Sequence, residues 1–519
     1  MKRYSVLAAI VVSALLWYFG TGLHPLPGLV FLAPLPALLI APRVNAVTAF
    51  LAGFLAWCGS GLRYWSYFID TIEQPVLVTL LLLGGTATVF GGLVVMTRAL
   101  LLRGRAGSAV LALPTGWVAF EFSVSLAGQF GAWWSIAYTQ FELLPLIQTA
   151  ALTGPWGISF LIMLVPATIA VLTAPEVTGA QRLRFASATT LLLVALGAFG
   201  WWRLAVAPER DTVRVGLLAV STPPEYVPVH SADGRDMVAR AVREIDRLAD
   251  QGAQVVVLPE KAWTADESTL TALSGPLTEV ATRRGIHVVA GLVKTTGGIS
   301  VNAAIAYPSG VEYAKHRLIP GLEDDLEPGT GWQRIPGEPW SLAVCFDLDG
   351  PDLVRENRNR GATLLLVPAL DFINDRWLHS RMAVMRGVES GVGIARAPQL
   401  GELVASDSRG HILASARTDV TVTRSVLATI PLDSDKTVYA RFGDWFAWLS
   451  VAVFAASRSG GDRARYPAAR TADNEQHSSP KNASVTMLTF VRDAAGGGGP
   501  VTGPASPPLV CPVWNLGTG

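Results

Sequence analysis

Up to about residue 204, apolar positions run in long blocks broken only briefly by polar ones; from Thr212 they shorten into runs that alternate with amphipathic stretches. The long blocks cover 5–20, 27–42, 45–61, 75–97, 107–126, 144–173 and 186–204, with one more at 443–457. Most approach the ~20 residues needed to cross a bilayer as helix. They predict an α-helical integral membrane bundle of about eight spans. The first block follows Lys2 and Arg3 with no small-residue cleavage site, so it reads as an uncleaved span rather than a signal peptide.

The shorter pattern belongs to an α/β domain. Strands are predicted at 212–220, around AQVVVLPE, and at 286–292, 302–308, 340–346 and 363–369. Helices are predicted at 232–250, where Met237, Val238, Ala241, Val242, Ile245, Leu248 and Ala249 share one face, and near 274–285, 351–360 and 376–391. The expected organisation is therefore spans one to seven in 1–204, an α/β domain in 205–442, a last span in 443–457 and a disordered tail in 458–519. The tail is rich in Gly, Pro, Ala and Ser, which cannot bury a core.

Charge placement orients this arrangement. With the N-terminus inside, the inner segments carry Lys2, Arg3, Arg43, Arg98, Arg103, Arg105, Arg182 and Arg184, then Arg458, Arg463 and Arg465. The short outer loops hold almost nothing basic except Arg63, and excess Lys and Arg marks cytoplasmic loops. The α/β domain is thereby expected outside the cytoplasm. Between spans five and six, the aromatic run around Trp133, Trp134, Tyr138 and Phe141 suits a membrane interface, and Glu121 is a carboxylate inside a span, either hydrogen-bonded for structure or functional.

Half the chain is hydrophobic and 16% is charged, too apolar for an ordinary soluble protein. The balance of 41 basic to 40 acidic residues argues against a nucleic-acid partner. Three widely spaced cysteines and seven scattered histidines offer neither a disulfide framework nor metal-ligand spacing, so no metal is expected.

Candidate chemistry gathers at strand ends, where open α/β sheets place their ligands. Glu260 closes LPE and Cys345 closes a hydrophobic strand just before a helix opening at Pro351; Lys315 follows the apolar and aromatic VEYA. Taken singly, these read as a helix-terminal carboxylate, a packed thiol and a surface cation. Cys345 is the one cysteine of a domain placed in an oxidising compartment, where an unpaired thiol is better explained by chemistry than by packing.

The ordered set LPE, YAKHRLIPGLE and VCFD resembles the carbon-nitrogen hydrolase, or nitrilase, superfamily, and eight spans around such a domain are similar to the bacterial apolipoprotein N-acyltransferase family. Further likeness lies in PTGWVAFE, in AYTQ with Gln140, in QTAALTGPWGISFL, in Arg386, Glu389 and Arg396 of MRGVESGVGIAR, and in RFGDWFAW. The resemblance implies a four-layer αββα sandwich, with Glu260 as general base, Lys315 as stabiliser of thiolate and oxyanion, Cys345 as nucleophile and Glu323 as an additional carboxylate. It implies a phospholipid acyl donor, a diacylglyceryl-lipoprotein acceptor, a thioester intermediate, no cofactor, and a monomer in the bacterial inner membrane. Phe346, Asp347 and Tyr226 are expected to contact substrate; Phe346–Asp347 stands where the family commonly has Tyr-Glu, and Tyr226 where it has Trp. A membrane-tethered amidohydrolase and a non-catalytic scaffold are the alternatives.

Overall fold

The computed structural model describes residues 3–127, 130–206, 211–222, 226–433 and 435–459. The predicted tail, with Cys511, lies outside the described residues from 460 onward.

The apolar half is helical at Arg3–Gly20, Ala46–Ser66, Val76–Leu102, Ala106–Ala127, Pro155–Leu172 and Gly179–Ala205, and Trp445–Ser459 returns to it after the α/β domain. Local signals set several starts: Asn45 accepts the Thr48 N–H at 2.8 Å, and Thr178 and Gln181 cap each other reciprocally. Five helices are long and apolar enough to cross a membrane by length and composition: Ala46–Thr71, Val76–Leu102, Ala106–Ala127, Pro155–Leu172 and Gly179–Ala205. Shorter apolar helices are Tyr4–Gly20, Leu29–Arg43, Leu144–Thr153 and Trp445–Ser457. Their shared core is an aromatic stack, with Trp57 4.4 Å from both Trp17 and Trp117 and Phe90 against all three. Close helix approach is permitted by Gly59, where a Cβ would lie 2.1 Å from the Ala14 carbonyl.

Two expected spans are not single helices. Residues 27–42 form a 3-10 turn at Leu29–Phe31, a helix at Leu35–Ile40 and a second 3-10 turn at Ala41–Arg43. Pro27, Pro34, Pro36 and Pro42 deny the backbone donors that one continuous helix needs. Residues 144–173 split into Leu144–Ile147, Ala150–Thr153 and Pro155–Leu172. Gly154, at φ +66°, makes the second break, and a Cβ there would meet the Tyr439 ring at 2.6 Å. The aromatic segment is also not a surface belt. Trp133 and Tyr138 are buried, Trp133 stacks on Tyr67, and the Ala132 N–H donates to the Asp349 carbonyl at 3.0 Å, binding this segment to the α/β domain. Glu121 accepts hydrogen bonds from Trp117, Ser135 and the Ile136 N–H, the partners that a structural role in a span requires.

The strands are β1 (Thr212–Ala219), β2 (Val227–Pro228), β3 (Val255–Val257), β4 (Trp263–Asp266), β5 (His287–Thr296), β6 (Ile299–Tyr307), β7 (Val311–Ala314), β8 (Trp340–Leu342), β9 (Leu364–Ala369), β10 (Gly393–Pro398), β11 (Gly401–Ser406), β12 (Ile412–Thr418) and β13 (Arg424–Pro431). One sheet runs β13-β1-β3-β5-β4-β2, with β6 on β5 and β7 on β6; the other runs β12-β11-β10-β9-β8. Residue alternation assigns each strand two faces. Val213, Val215, Leu217, Val255 and Val257 join Leu364, Leu366 and Ala395 in one core shared by both sheets. Leu218, Val256 and Leu258 turn instead to the helices Ala232–Asp250 and Thr271–Arg284. Leu365 and Val367 turn to the helices Pro351–Asn359 and Arg376–Ser390.

Candidate active site

Every strand end expected to carry chemistry points to one place. β3 runs into Pro259 and Glu260, and the Glu260 N–H donates to the Ala369 carbonyl at the end of β9 (3.2 Å), so this carboxylate sits where the two sheets meet. β8 leads to Cys345, which heads a 3-10 turn, Cys345–Asp349, with φ +39°. A non-glycine residue in that region is held there by its surroundings. The brace is Asp347, which accepts from the N–H groups of Val344 (2.9 Å), His316 (3.1 Å) and Arg317 (2.9 Å) and from the Tyr313 hydroxyl (2.8 Å). Asp347, expected to contact substrate, is fully enclosed in this structure, where its carboxylate ties the Cys345 turn to the loop that carries Lys315.

Lys315 follows β7 directly and is completely buried, bridging Glu260 and Glu323 at 2.8 Å each. The bland reading as a surface cation is overturned. Strand pairing sets Asn302 on β6 opposite this position, and the Lys315 N–H donates to the Asn302 carbonyl at 2.8 Å. The Asn302 amide then donates to both Glu260 (2.6 Å) and Glu323 (2.7 Å).

The two carboxylates are used differently. Glu323 accepts on Oε1 from Lys261 (2.9 Å) and Asn302, and on Oε2 from Lys315 and the Ile319 N–H (2.9 Å). Burial alone would raise its pKa, but Lys315 and Lys261 outweigh that and hold it at about 2. Glu260 accepts both its hydrogen bonds on Oε1, and its Oε2 has no partner among the described residues. One carboxylate is saturated and the other has an oxygen free to take a proton.

Lys315 is raised: burial disfavours its charge, but Glu260, Cys345 and Glu323 more than compensate. The Cys345 thiol is pushed well up, by burial first and then by Glu260, with Arg396 and Lys315 opposing. A neutral thiol at rest therefore needs a base at the moment of attack. Arg396 on β10 pairs with both oxygens of Asp371 and reaches to 3.8 Å from Sγ. The Phe346 N–H, at the second position of the turn, has no intrahelical carbonyl to bond.

Of the remaining expected contacts, Phe346 is buried edge-on against Phe130, and Tyr226 is half exposed, with Lys261 5.5 Å from its ring centroid. Lys261, Asn302 and Asp371 were not anticipated. The adjacency of Lys261 to Glu260 and the polar residue heading the NAAIAY strand are the signals that point to the first two. No group of three or more His, Cys, Asp or Glu suited to a metal occurs among the described residues.

Residues 13–168 match the model of the apolipoprotein N-acyltransferase N-terminal domain, and residues 218–442 match that of carbon-nitrogen hydrolase. An apolipoprotein N-acyltransferase of Geobacter metallireducens is 25% identical over 505 residues, covering 87% of this chain and 94% of that one. One of Gloeobacter violaceus is 27% identical over 358 residues, 62% of this chain and 66% of that one. The crystal structure of an amidase from Nesterenkonia sp. is similar at 21% identity and a TM-score of 0.38, covering 46% of this chain and 95% of that one.

Proposed function

We propose that this chain, built from an apolipoprotein N-acyltransferase N-terminal domain followed by a carbon-nitrogen hydrolase domain, moves an acyl chain from a phospholipid to the α-amino group of a diacylglyceryl-cysteine at a lipoprotein N-terminus. The observation that carries the reading is the asymmetry of the two glutamates beside Lys315: Glu323 is saturated, and Glu260 keeps one oxygen open next to a neutral nucleophile. The apolar helices favour substrates that live in the bilayer.

In the first half-reaction Glu260 takes the Cys345 proton as Sγ attacks the ester carbonyl carbon. Lys315 and the Phe346 N–H hold the oxyanion. The carbon–oxygen bond breaks, Glu260 returns the proton to the departing lysophospholipid, and a thioester remains on Cys345. In the second half-reaction the neutral acceptor amine attacks that thioester, Glu260 receives the amine proton and passes it to Sγ as the carbon–sulfur bond breaks, giving the amide and restoring both the thiol and the Glu260 carboxylate. Glu323 and Asn302 keep Lys315 in place throughout and exchange no proton. The excess of Lys and Arg in alternate loops supports an α/β domain on the extracytoplasmic side of the inner membrane.

The test is mass spectrometry of the full-length protein after incubation with phosphatidylglycerol. An acyl group on Cys345 that is discharged by a diacylglyceryl lipopeptide is the expected result. No acyl adduct refutes the reading, and an adduct discharged only by water makes the protein a hydrolase.

A further inference from the structure

A cleft of about 400 Å³ opens where the end of the Ala46–Ser66 helix meets the α/β domain. Arg63 enters it from that helix, Arg376 from the start of the helix Arg376–Ser390, and Arg417 from β12. Arg63 and Arg417 are exposed and Arg376 is half-buried. None of the three has an ion pair or a hydrogen bond among the described residues. Glu402, the only acid in the lining, accepts from Arg381 (3.2 Å) and Ser380 (3.2 Å) and is not free to neutralise them. Their field is felt locally: partial enclosure and then Arg63, Arg417 and Arg376 push the His24 imidazole down.

Three guanidiniums brought together without a counter-ion repel one another, and a planar guanidinium fits a phosphate through paired N–H donors. The rest of the lining is mixed: Leu23, Ile373 and Trp377 are apolar, with Ile373 44% exposed, and His24, Ser66, Tyr67 and Asn374 are polar. A free inorganic ion has no use for the apolar side chains, whereas a glycerolipid has.

The cleft is also coupled to the nucleophile. Tyr67, in its floor, donates to Asp375, and Asn374 donates to Thr71 at 2.8 Å, fixing the loop after β9 to the helical half. His379 lies 3.2 Å from Asp375 and 3.9 Å from Asp371, which holds Arg396 beside Cys345.

We infer that this cleft binds the phosphodiester of the glycerophospholipid donor, with Arg63, Arg376 and Arg417 as its anion ligands and Trp377 and Ile373 against the glycerol end. The inference rests on the proposed reaction for the identity of the lipid and adds where its head group is read. It also gives the two substrates different treatment: a cationic cleft attracts the anionic donor and repels the ammonium form of the acceptor.

The experiment uses full-length Cys345→Ala protein, which cannot turn over, in a neutral detergent. Native mass spectrometry measures its Kd for phosphatidylglycerol and for a diacylglycerol with the same chains. The combined Arg63→Gln, Arg376→Gln and Arg417→Gln substitution is expected to weaken phosphatidylglycerol binding about tenfold, ~1.4 kcal/mol. It is expected to remove most of the preference over diacylglycerol, and the corresponding triple lysine variant restores part of it. An unchanged Kd, or an equal loss for both lipids, overturns the inference. So does competition by millimolar inorganic phosphate as effective as that by a short-chain phospholipid, which makes the site one for the free ion. Because binding is read without catalysis, absence of an acyl adduct in the wild-type protein refutes the proposed reaction and leaves this measurement intact.

Discussion

Behind Cys345, two lysines and two glutamates are packed together with every charge matched at 2.8–2.9 Å, while at the cleft between the helices and the α/β domain three arginines stand with no acid to spare. The first cluster is buried, and burial is tolerable there because Lys261 and Lys315 balance Glu260 and Glu323 and Asn302 supplies further donors. The second is open to solvent, where like charges cost little and a ligand can supply the missing sign. Matched buried charge fixes the geometry of a reaction; unmatched exposed charge recruits what is to react. The two regions should therefore answer mutation in opposite ways.

The largest effect belongs to Lys315. Lys315→Met leaves the buried Glu260 without its cation and Glu323 with Lys261 alone, and loss of one partner of a buried pair costs ~3–5 kcal/mol. Acylation of Cys345 is expected to fall on the order of 10³-fold, since the same ammonium opposes oxyanion charge. Thermal melting and single-turnover acylation check both numbers. A variant with wild-type melting and rate would erase the distinction between the two regions.

Next come the two glutamates, which separate chemistry from structure inside the buried cluster. Glu260→Gln cannot take a proton, and acylation at neutral pH is expected to drop by about 10²–10⁴. Glu323→Gln acts first on stability, because Lys261 and Lys315 lose their shared carboxylate. Glu323 is held at about 2 against an ordinary 4.5, so its stabilising contribution is complete above pH 4.5 and disappears as the pH falls through 2. Melting temperatures from pH 6 to pH 2 are expected to converge for wild type and Glu323→Gln. Parallel curves would show that the carboxylate is not what holds the lysines.

The buried cluster was partly legible in the sequence, and the reason is where apolar runs stop. Glu260 and Cys345 stand at the ends of short continuous apolar runs, so their places at strand ends follow from the pattern. Lys315 stands out in the sequence only as a lone cation after the apolar and aromatic VEYA, and its role comes from the resemblance. Lys261 and Asn302 act across the sheet, through contacts 62 and 21 residues apart in the chain, and no local pattern encodes such pairings. In the apolar half the reverse holds: total hydrophobicity located the helices, while the prolines between 27 and 42 and Gly154–Pro155 decided where they break. The cleft arginines come from three distant segments, and only Arg63 drew notice, as the basic exception in the outer loops.

A smaller effect is expected from Asp347. Asp347→Asn keeps the size of the side chain but replaces one acceptor oxygen with a donor, which meets the N–H groups of Val344, His316 or Arg317. A mismatched buried hydrogen bond costs ~1–3 kcal/mol. Since Asp347 acts on the turn and not on substrate, acylation should fall in kcat with KM for phospholipid unchanged. A change confined to KM would return it to the role of a substrate contact.

The smallest effect, and the one of opposite sign, belongs to the cleft. Removing charge there by Arg63→Gln, Arg376→Gln and Arg417→Gln relieves repulsion between exposed groups, so the melting temperature should hold or rise slightly, by the equivalent of ~0–1 kcal/mol. The gain should be visible at low salt and vanish by about 1 M, where the Debye length has shrunk to ~3 Å. Added phosphatidylglycerol, which stabilises whatever it binds, should raise the wild-type melting temperature more than that of the variant. A variant that melts well below wild type at low salt would mean that the three arginines hold the helical half to the α/β domain, and the cleft would then belong with the matched cluster.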